Sequence, residues 1–147
     1  IAGEPAEVFA YSNHHMLPDW PVDDCTIAIY KFKPGAIGKV FCSIGCKRPY
    51  TMRSVFYGSK GTIVCDNTSS EIQLYTTSLP EAKGFIKLPV DLNSHNVRQE
   101  VDELIKAIQE GQPVATDGRE GARTVAACLA AVESARTGKP VSVPADL

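Results

Sequence analysis

The hydrophobic pattern of this chain changes period once, near Asn93, and that change constrains the fold more than any motif. Before it, apolar and β-branched residues recur at every second position in short runs cut by turn residues; after it they recur every three to four residues. Strands gathered ahead of helices, instead of alternating with them, define an α+β domain and argue against the βαβ repeat of a nucleotide-binding parallel sheet. Neither the GxGxxG fingerprint nor a GxxxxGK phosphate loop occurs anywhere in the chain.

The strand runs can be placed one by one. Val8, Ala10 and Ser12 alternate with Glu7, Phe9 and Tyr11 in the first. CTIAIYKF (25–32) puts Cys25, Ile27 and Ile29 on one face and Ala28, Tyr30 and Phe32 on the other, so both faces are apolar. KPGAIG then turns the chain, with Pro34 setting φ and Gly35 free to take positive φ, into a third strand, KVFCSIGC. MRSVFY (52–57), GTIVCD (61–66), EIQLYTT (71–77) and FIKLPV (85–90) read as four more, separated by GSKG, NTSS and LPEAKG. Short turns between consecutive strands make antiparallel neighbours. Cys42 and Cys46 fall on one face of the third strand about 13 Å apart by strand rise, too far for a disulfide, and read as small core residues.

Two helices follow. Val97, Val101, Leu104, Ile105 and Ile108 stripe one side of the first, with Arg98, Glu100, Asp102, Glu103, Lys106 and Glu110 toward water, and Gly111 with Pro113 ends it. In the second, Asp117 caps while Glu120 reaches back in a capping box, Gly138 with Pro140 closes the helix, and 141–143 returns as a short strand. The expected architecture is α+β, a largely antiparallel open sheet of seven to eight strands with both helices on one face. Since the second strand is apolar on both sides, one apolar face is left over, and it is expected to pack against a second copy in an isologous dimer.

Composition narrows the partners. The 147 residues, 44% hydrophobic and 22% charged, suit one packed domain, and a net charge of −2 supplies no basic field for nucleic acid or an anionic membrane. The longest apolar stretch, near 122–132, is broken by Arg123 and Thr124 and falls short of a membrane span. Five cysteines without a CxxC pair fit a reducing cytoplasm. The opening IAGEPAEV has neither the basic region nor the apolar run of a secretion signal, and the chain reads as cut from something longer.

Candidate site residues cluster after the third strand. IGCKRPYTMR gathers Lys47, Arg48 and Tyr50 around Gly45 and Pro49. Arg48 offers a planar fork for a carboxylate or a pair of hydroxyls, and Tyr50 a hydroxyl with a flat face for a sugar ring; the same residues also suit an ordinary solvated loop. His14 and His15 stand near Asp19, Asp23 and Asp24, but neighbours on an extended strand point to opposite sides and do not share one metal ion. That segment is either an exposed turn or a loop closing over a pocket, with His15 as its ligand contact. His95, just ahead of the first helix where free amides favour anions, is either a further contact or a capping-region surface residue. Glu100, Asp102 and Glu103 lie on the wet helix face and read as solvation. No catalytic, cofactor-binding or metal-binding residue is assigned.

Taken in order, the first hairpin through PGAIG, the strand ending in Ser43, FYGSKGTIVCD, the helix ending AIQEGQPV and then TDGREGARTVAACLAAVESARTGKPVSVP resemble one known domain. It is the C-terminal domain of the glucose-fructose oxidoreductase, inositol dehydrogenase and rhizopine catabolism family (Gfo/Idh/MocA), and the resemblance runs from Gly3 to Pro144. It implies the substrate-binding and oligomerisation domain of an oxidoreductase acting on a sugar, cyclitol or related polyol. The NAD or NADP of the full-length parent would be held by an N-terminal Rossmann domain absent from this chain. The family's EKP and DxGxH-type motifs are not found here, so the fragment alone is expected to be inactive and without cofactor. The resemblance also implies substrate contacts in the stretch of Lys47, Arg48 and Tyr50, and a homo-oligomer through the sheet. The alternative is a non-catalytic α+β module that binds a ligand or partner without redox chemistry.

Overall fold

The computed structural model describes residues 2–79, 81, 83–92, 97–114 and 116–145. The elements run β1 (Glu4–Asn13), β2 (Cys25–Lys33), β3 (Ile37–Ser43), β4 (Arg53–Gly58), β5 (Gly61–Asp66), β6 (Glu71–Thr76), β7 (Ile86–Pro89), α1 (Val97–Glu110), α2 (Gly118–Thr137) and β8 (Val141–Ser142). The class is α+β and every pairing is antiparallel, as read. The strands form two four-stranded sheets, ordered β3-β2-β1-β8 and β4-β5-β6-β7, which corrects the single sheet of seven to eight strands. Tight turns join β2 to β3 and β4 to β5. Between β3 and β4, residues 44–52 are too long for a hairpin loop and carry Pro49, which has no N–H to offer a ladder.

Two compact units result, Ile1–Lys47 with Ala107–Leu147, and Arg48–Lys106. In the first, the register pairs Val8 with Tyr30 and Ala10 with Ala28. These four, Ala130 and Ala131 of α2, and Val143 make the core, because alanine on both sides lets the helix approach the sheet closely. The Tyr30 hydroxyl donates to the Ala127 carbonyl at 3.0 Å. Burial, with a smaller contribution from Cys128, raises its pKa above the ordinary value.

β8 pairs with β1 through Glu7–Ser142 and Val8–Val141, and at the next ladder position a side chain takes over. The buried Ser134 hydroxyl accepts from the Ala10 amide at 3.0 Å and donates to the Lys139 carbonyl at 2.7 Å. Two main-chain groups that a longer β8 would have joined directly are thereby satisfied. At the helix start the Asp117 carboxylate accepts from the Glu120 amide at 2.9 Å, while the Glu120 carboxylate pairs with Arg123 at 2.6 Å, so only half of the expected capping box forms. Gly138 ends α2 with φ of 65°, the left-handed conformation that glycine takes without penalty.

The other face of the first sheet is bare. Tyr11, Ile27 and Phe41 form one cross-strand row and Phe9, Ile29 and Lys39 the next. Tyr11 is 66% exposed, Phe41 62% and Ile29 51%. Phe9 and Tyr11 meet edge to face with centroids 4.9 Å apart. Toward one end Lys31 pairs with Glu7 at 2.6 Å and Lys33 with Glu4 at 3.2 Å.

Two packing expectations are corrected. Cys42 is exposed on the edge strand β3, and Cys46 lies past its end with its thiol on the Ser43 carbonyl at 3.5 Å, so neither is a core residue. α1 forms where its period put it, but no residue of it is buried, and Val97, Val101, Leu104, Ile105 and Ile108 all stand exposed. It is α2 that packs on the first sheet, and the amphipathic period of α1 specifies a helix and its apolar side without specifying what covers that side.

In the second unit, β4 pairs with β5 from Arg53–Asp66 to Gly58–Gly61, and Phe56, Ile63, Leu74 and Ile86 align across the sheet. The GSKG turn requires its second glycine, because a Cβ on Gly61 would overlap the Tyr75 carbonyl. No helix among the described residues is long and apolar enough to cross a membrane.

Candidate functional site

β1 ends at Asn13, so His14 and His15 lie in the loop beyond it. His14 serves the loop itself, its Nε2 donating to the Leu17 carbonyl at 2.6 Å. The His15 imidazole is exposed and makes no hydrogen bond among the described residues. What holds the loop is Asp24, only 1% exposed. Its Oδ2 accepts from three successive amides, His15 at 3.0 Å, Met16 at 2.6 Å and Leu17 at 2.7 Å. Burial alone would raise the pKa of this carboxyl; the three amides and the nearby His14 outweigh it and hold the pKa below the ordinary value.

The Asp24 backbone ties down two further segments. Its amide donates to the Asn13 carbonyl at 3.0 Å and its carbonyl accepts from the Ile44 amide at 2.9 Å. Gly45 follows, so close to the loop that a Cβ there would overlap Met16. The structure thus brings the His15 loop and the segment leading to Lys47 together at one end of the first sheet. Lys47 is exposed there, and no described residue pairs with its ammonium. A reading by residue type missed Asp24, although an aspartate between a loop and a strand signals side-chain capture of nearby amides.

Arg48 and Tyr50 open the second unit. Arg48 is exposed, with its guanidinium unpaired among the described residues. The Tyr50 hydroxyl lies 3.9 Å from the Met52 sulfur as a weak donor. Asn67, in the turn after β5, clips this stretch in place. Its Oδ1 accepts from the Met52 amide at 2.6 Å, its Nδ2 donates to the Tyr50 carbonyl at 3.2 Å, and its own amide donates to the Met52 carbonyl at 3.2 Å. Next to it Asp66 accepts from the Thr68 hydroxyl at 2.6 Å, the Thr68 amide at 2.9 Å and the Arg53 guanidinium at 2.8 Å. Those bonds, Thr68 foremost and then Arg53, hold its pKa down to about 2. Asn67 was also missed, its only signal being an Asn in turn chemistry. His95 lies outside the described residues.

An antiparallel α+β domain with exposed polar side chains at the end of its first sheet is the class of protein that these features define. The chain matches, over residues 1–143, the model described as "Oxidoreductase family, C-terminal alpha/beta domain". It is 28% identical over 145 residues to the 1,5-anhydro-D-fructose reductase of Ensifer adhaerens, covering 98% of this chain and 43% of that protein. To the myo-inositol 2-dehydrogenase of Thermotoga maritima it is 24% identical over 121 residues, covering 82% of this chain and 36% of that one. Among solved structures, levoglucosan dehydrogenase in complex with NADH and levoglucosan matches with a TM-score of 0.86 at 22% identity, over 97% of this chain and 46% of that one. An oxidoreductase domain protein from Kribbella flavida matches with a TM-score of 0.85 at 22% identity, over 95% and 44%. At these identities the solved structures speak for the fold. The chain belongs to the Gfo/Idh/MocA oxidoreductase family, as its C-terminal domain. It spans less than half the length of the curated relatives it matches.

Proposed function

We propose that this chain is the substrate-binding and oligomerisation domain of a longer oxidoreductase that uses NAD or NADP to act on a sugar, cyclitol or related polyol. The observation that carries the reading is the set of exposed polar groups held on ordered backbone. The His15 imidazole and Lys47 ammonium stand on segments tied to Asp24, and Arg48 with Tyr50 on the stretch ordered by Asn67. A polyol presents many hydroxyls, and its recognition needs several donors and acceptors kept in fixed directions. In this reading His15, Lys47, Arg48, Tyr50 and His95 contact substrate. The names of the relatives, a sugar reductase and a cyclitol dehydrogenase, and of the neighbours, complexes with NADH and levoglucosan or L-sorbose, support the substrate class.

The residues of this chain do not fit a dinucleotide. Both sheets are antiparallel, and among the described residues no strand leads through a glycine-rich turn into a helix N-terminus, the arrangement that cradles a pyrophosphate. In the proposal the cofactor therefore belongs to an upstream domain, and this chain alone performs no hydride transfer. The five free cysteines suit a cytoplasmic setting. The bare face of the first sheet, with Tyr11, Ile29 and Phe41 exposed together, supports its use as the homo-oligomer contact.

Replacing Arg48 or Tyr50 by Ala in the full-length protein tests the site. Each loses hydrogen bonds to a sugar hydroxyl worth about 1–3 kcal/mol in a desolvated site, so kcat/KM should fall about tenfold or more with the thermal transition unchanged. Unchanged kinetics in both single variants would make this stretch an ordinary solvated loop.

A further inference from the structure

Asp24 is exposed to only 1%, yet it sits at the end of a sheet whose neighbouring loops are open to water. A buried carboxylate is costly unless satisfied, and this one is satisfied on one side only. Oδ2 gathers the amides of His15, Met16 and Leu17, while Oδ1 is buried with no partner among the described residues. Three successive amides turned onto one oxygen fix the backbone of all three residues at once, as a nest does for a bound anion. Around this point the loop is reinforced locally. His14 reaches the Leu17 carbonyl, and the Ser12 hydroxyl donates to Asp23. The backbone of Asp24 binds Asn13 on one side and Ile44 on the other, and Gly45 packs against Met16. One residue thus sets the end of β1, the His15 loop and the approach to Lys47.

We infer that Asp24 is a positioning residue for substrate binding, acting through the backbone of residues 15–17 to hold the His15 imidazole in the direction that a polyol hydroxyl requires. The inference rests on the reading of His15 as a substrate contact. Asp24 does not itself touch the substrate, because neither of its oxygens reaches the surface. An ordinary structural aspartate would, when replaced, lower stability and leave the affinity of the surviving folded protein alone. A positioning residue changes affinity through one particular partner.

The experiment uses the full-length protein and whichever of levoglucosan, myo-inositol and 1,5-anhydro-D-fructose it turns over fastest. Asp24→Asn keeps the shape but removes the charge that gathers the amides. It should speed hydrogen exchange at His15, Met16 and Leu17 by tenfold or more while β1 and β2 stay protected. It should also raise KM about tenfold with kcat within about twofold, and the effect should be non-additive with His15→Ala, the double variant being no worse than His15→Ala alone. Gly45→Ala displaces Met16 while meeting the Asp24 carboxylate only at an ordinary contact distance of 3.6 Å, leaves its charge in place and should raise KM in the same way, which keeps the test open if Asp24→Asn folds poorly. Unchanged exchange at residues 15–17, or Asp24→Asn and His15→Ala effects that multiply, would overturn the inference while leaving the pocket reading intact. A silent His15→Ala, with residues 15–17 still deprotected in Asp24→Asn, would bring down the pocket reading and this inference with it.

Discussion

Along β2, Ala28 and Tyr30 lie under α2, while Ile27 and Ile29, on alternate positions of the same strand, stand open beside Tyr11 and Phe41. By side-chain type the bare face is the more hydrophobic of the two. What separates them is that α2 brings Ala127, Ala130, Ala131 and Ala135 to one side, and the small residues opposite let the helix close on the sheet. The other side carries bulky Ile, Phe and Tyr with Lys–Glu pairs toward one end, and the proposed self-association would use it. Apolar character along a strand therefore does not say which of its faces the same chain will cover.

Charges placed on either side break this comparison most sharply. Tyr30→Glu sets an unpaired carboxylate beneath α2, which costs about 3–5 kcal/mol against a total stability of about 5–15, and should abolish or strongly depress the cooperative melt seen by circular dichroism. Ile29→Glu, on the bare face, should melt like the wild type but lose self-association in light scattering at micromolar concentration. A wild-type chain that is strictly monomeric yet well folded would refute the sheet-face contact, and a Tyr30→Glu variant that melts normally would refute the sealed face.

A smaller effect is expected within the covered side alone. Ser134→Ala removes the hydroxyl between Ala10 and Lys139 and leaves a buried amide and carbonyl unpaired, so urea unfolding should show a loss of about 1–3 kcal/mol. A neutral result would mean that β8 extends to pair with Ala10 directly. The mildest effect is reserved for the second sheet. Asp66 has a pKa of about 2 when folded, below its ordinary 3.8, so the stability it contributes is present above pH 3.8 and is lost as pH falls toward 2. Asp66→Asn should flatten the fall in melting temperature across that window, and an unaltered pH profile would mean that the Thr68 and Arg53 bonds contribute nothing to stability.

Elements governed by neighbouring residues were legible in the sequence. GTIVCD is β5 to the residue, and the second helix is bounded by the Asp117 cap and the left-handed Gly138 that its sequence announced. The candidate site was legible by residue type alone: exposed Lys47, Arg48 and Tyr50 were visible beside a proline and a glycine, but the groups that order their backbone were not. Asp24 reaches back to residues 15–17 and forward to Ile44, and Asn67 reaches Tyr50 and Met52, across stretches for which no local periodicity exists.

By itself the sequence determined which segments become strands and helices, to within a few residues at their ends, because turns, caps and alternation depend on residues a few positions apart. It also determined that β2 is apolar on both faces and α1 on one. Tertiary structure alone decided that the strands divide into two sheets and that α2 closes on the first. It decided too that a hydroxyl completes the ladder beside β8 and that a buried carboxylate sets the His15 loop. Those outcomes depend on which surfaces and main-chain groups meet across long separations, where side-chain size and the demand to satisfy every buried amide select one arrangement among many with the same local pattern.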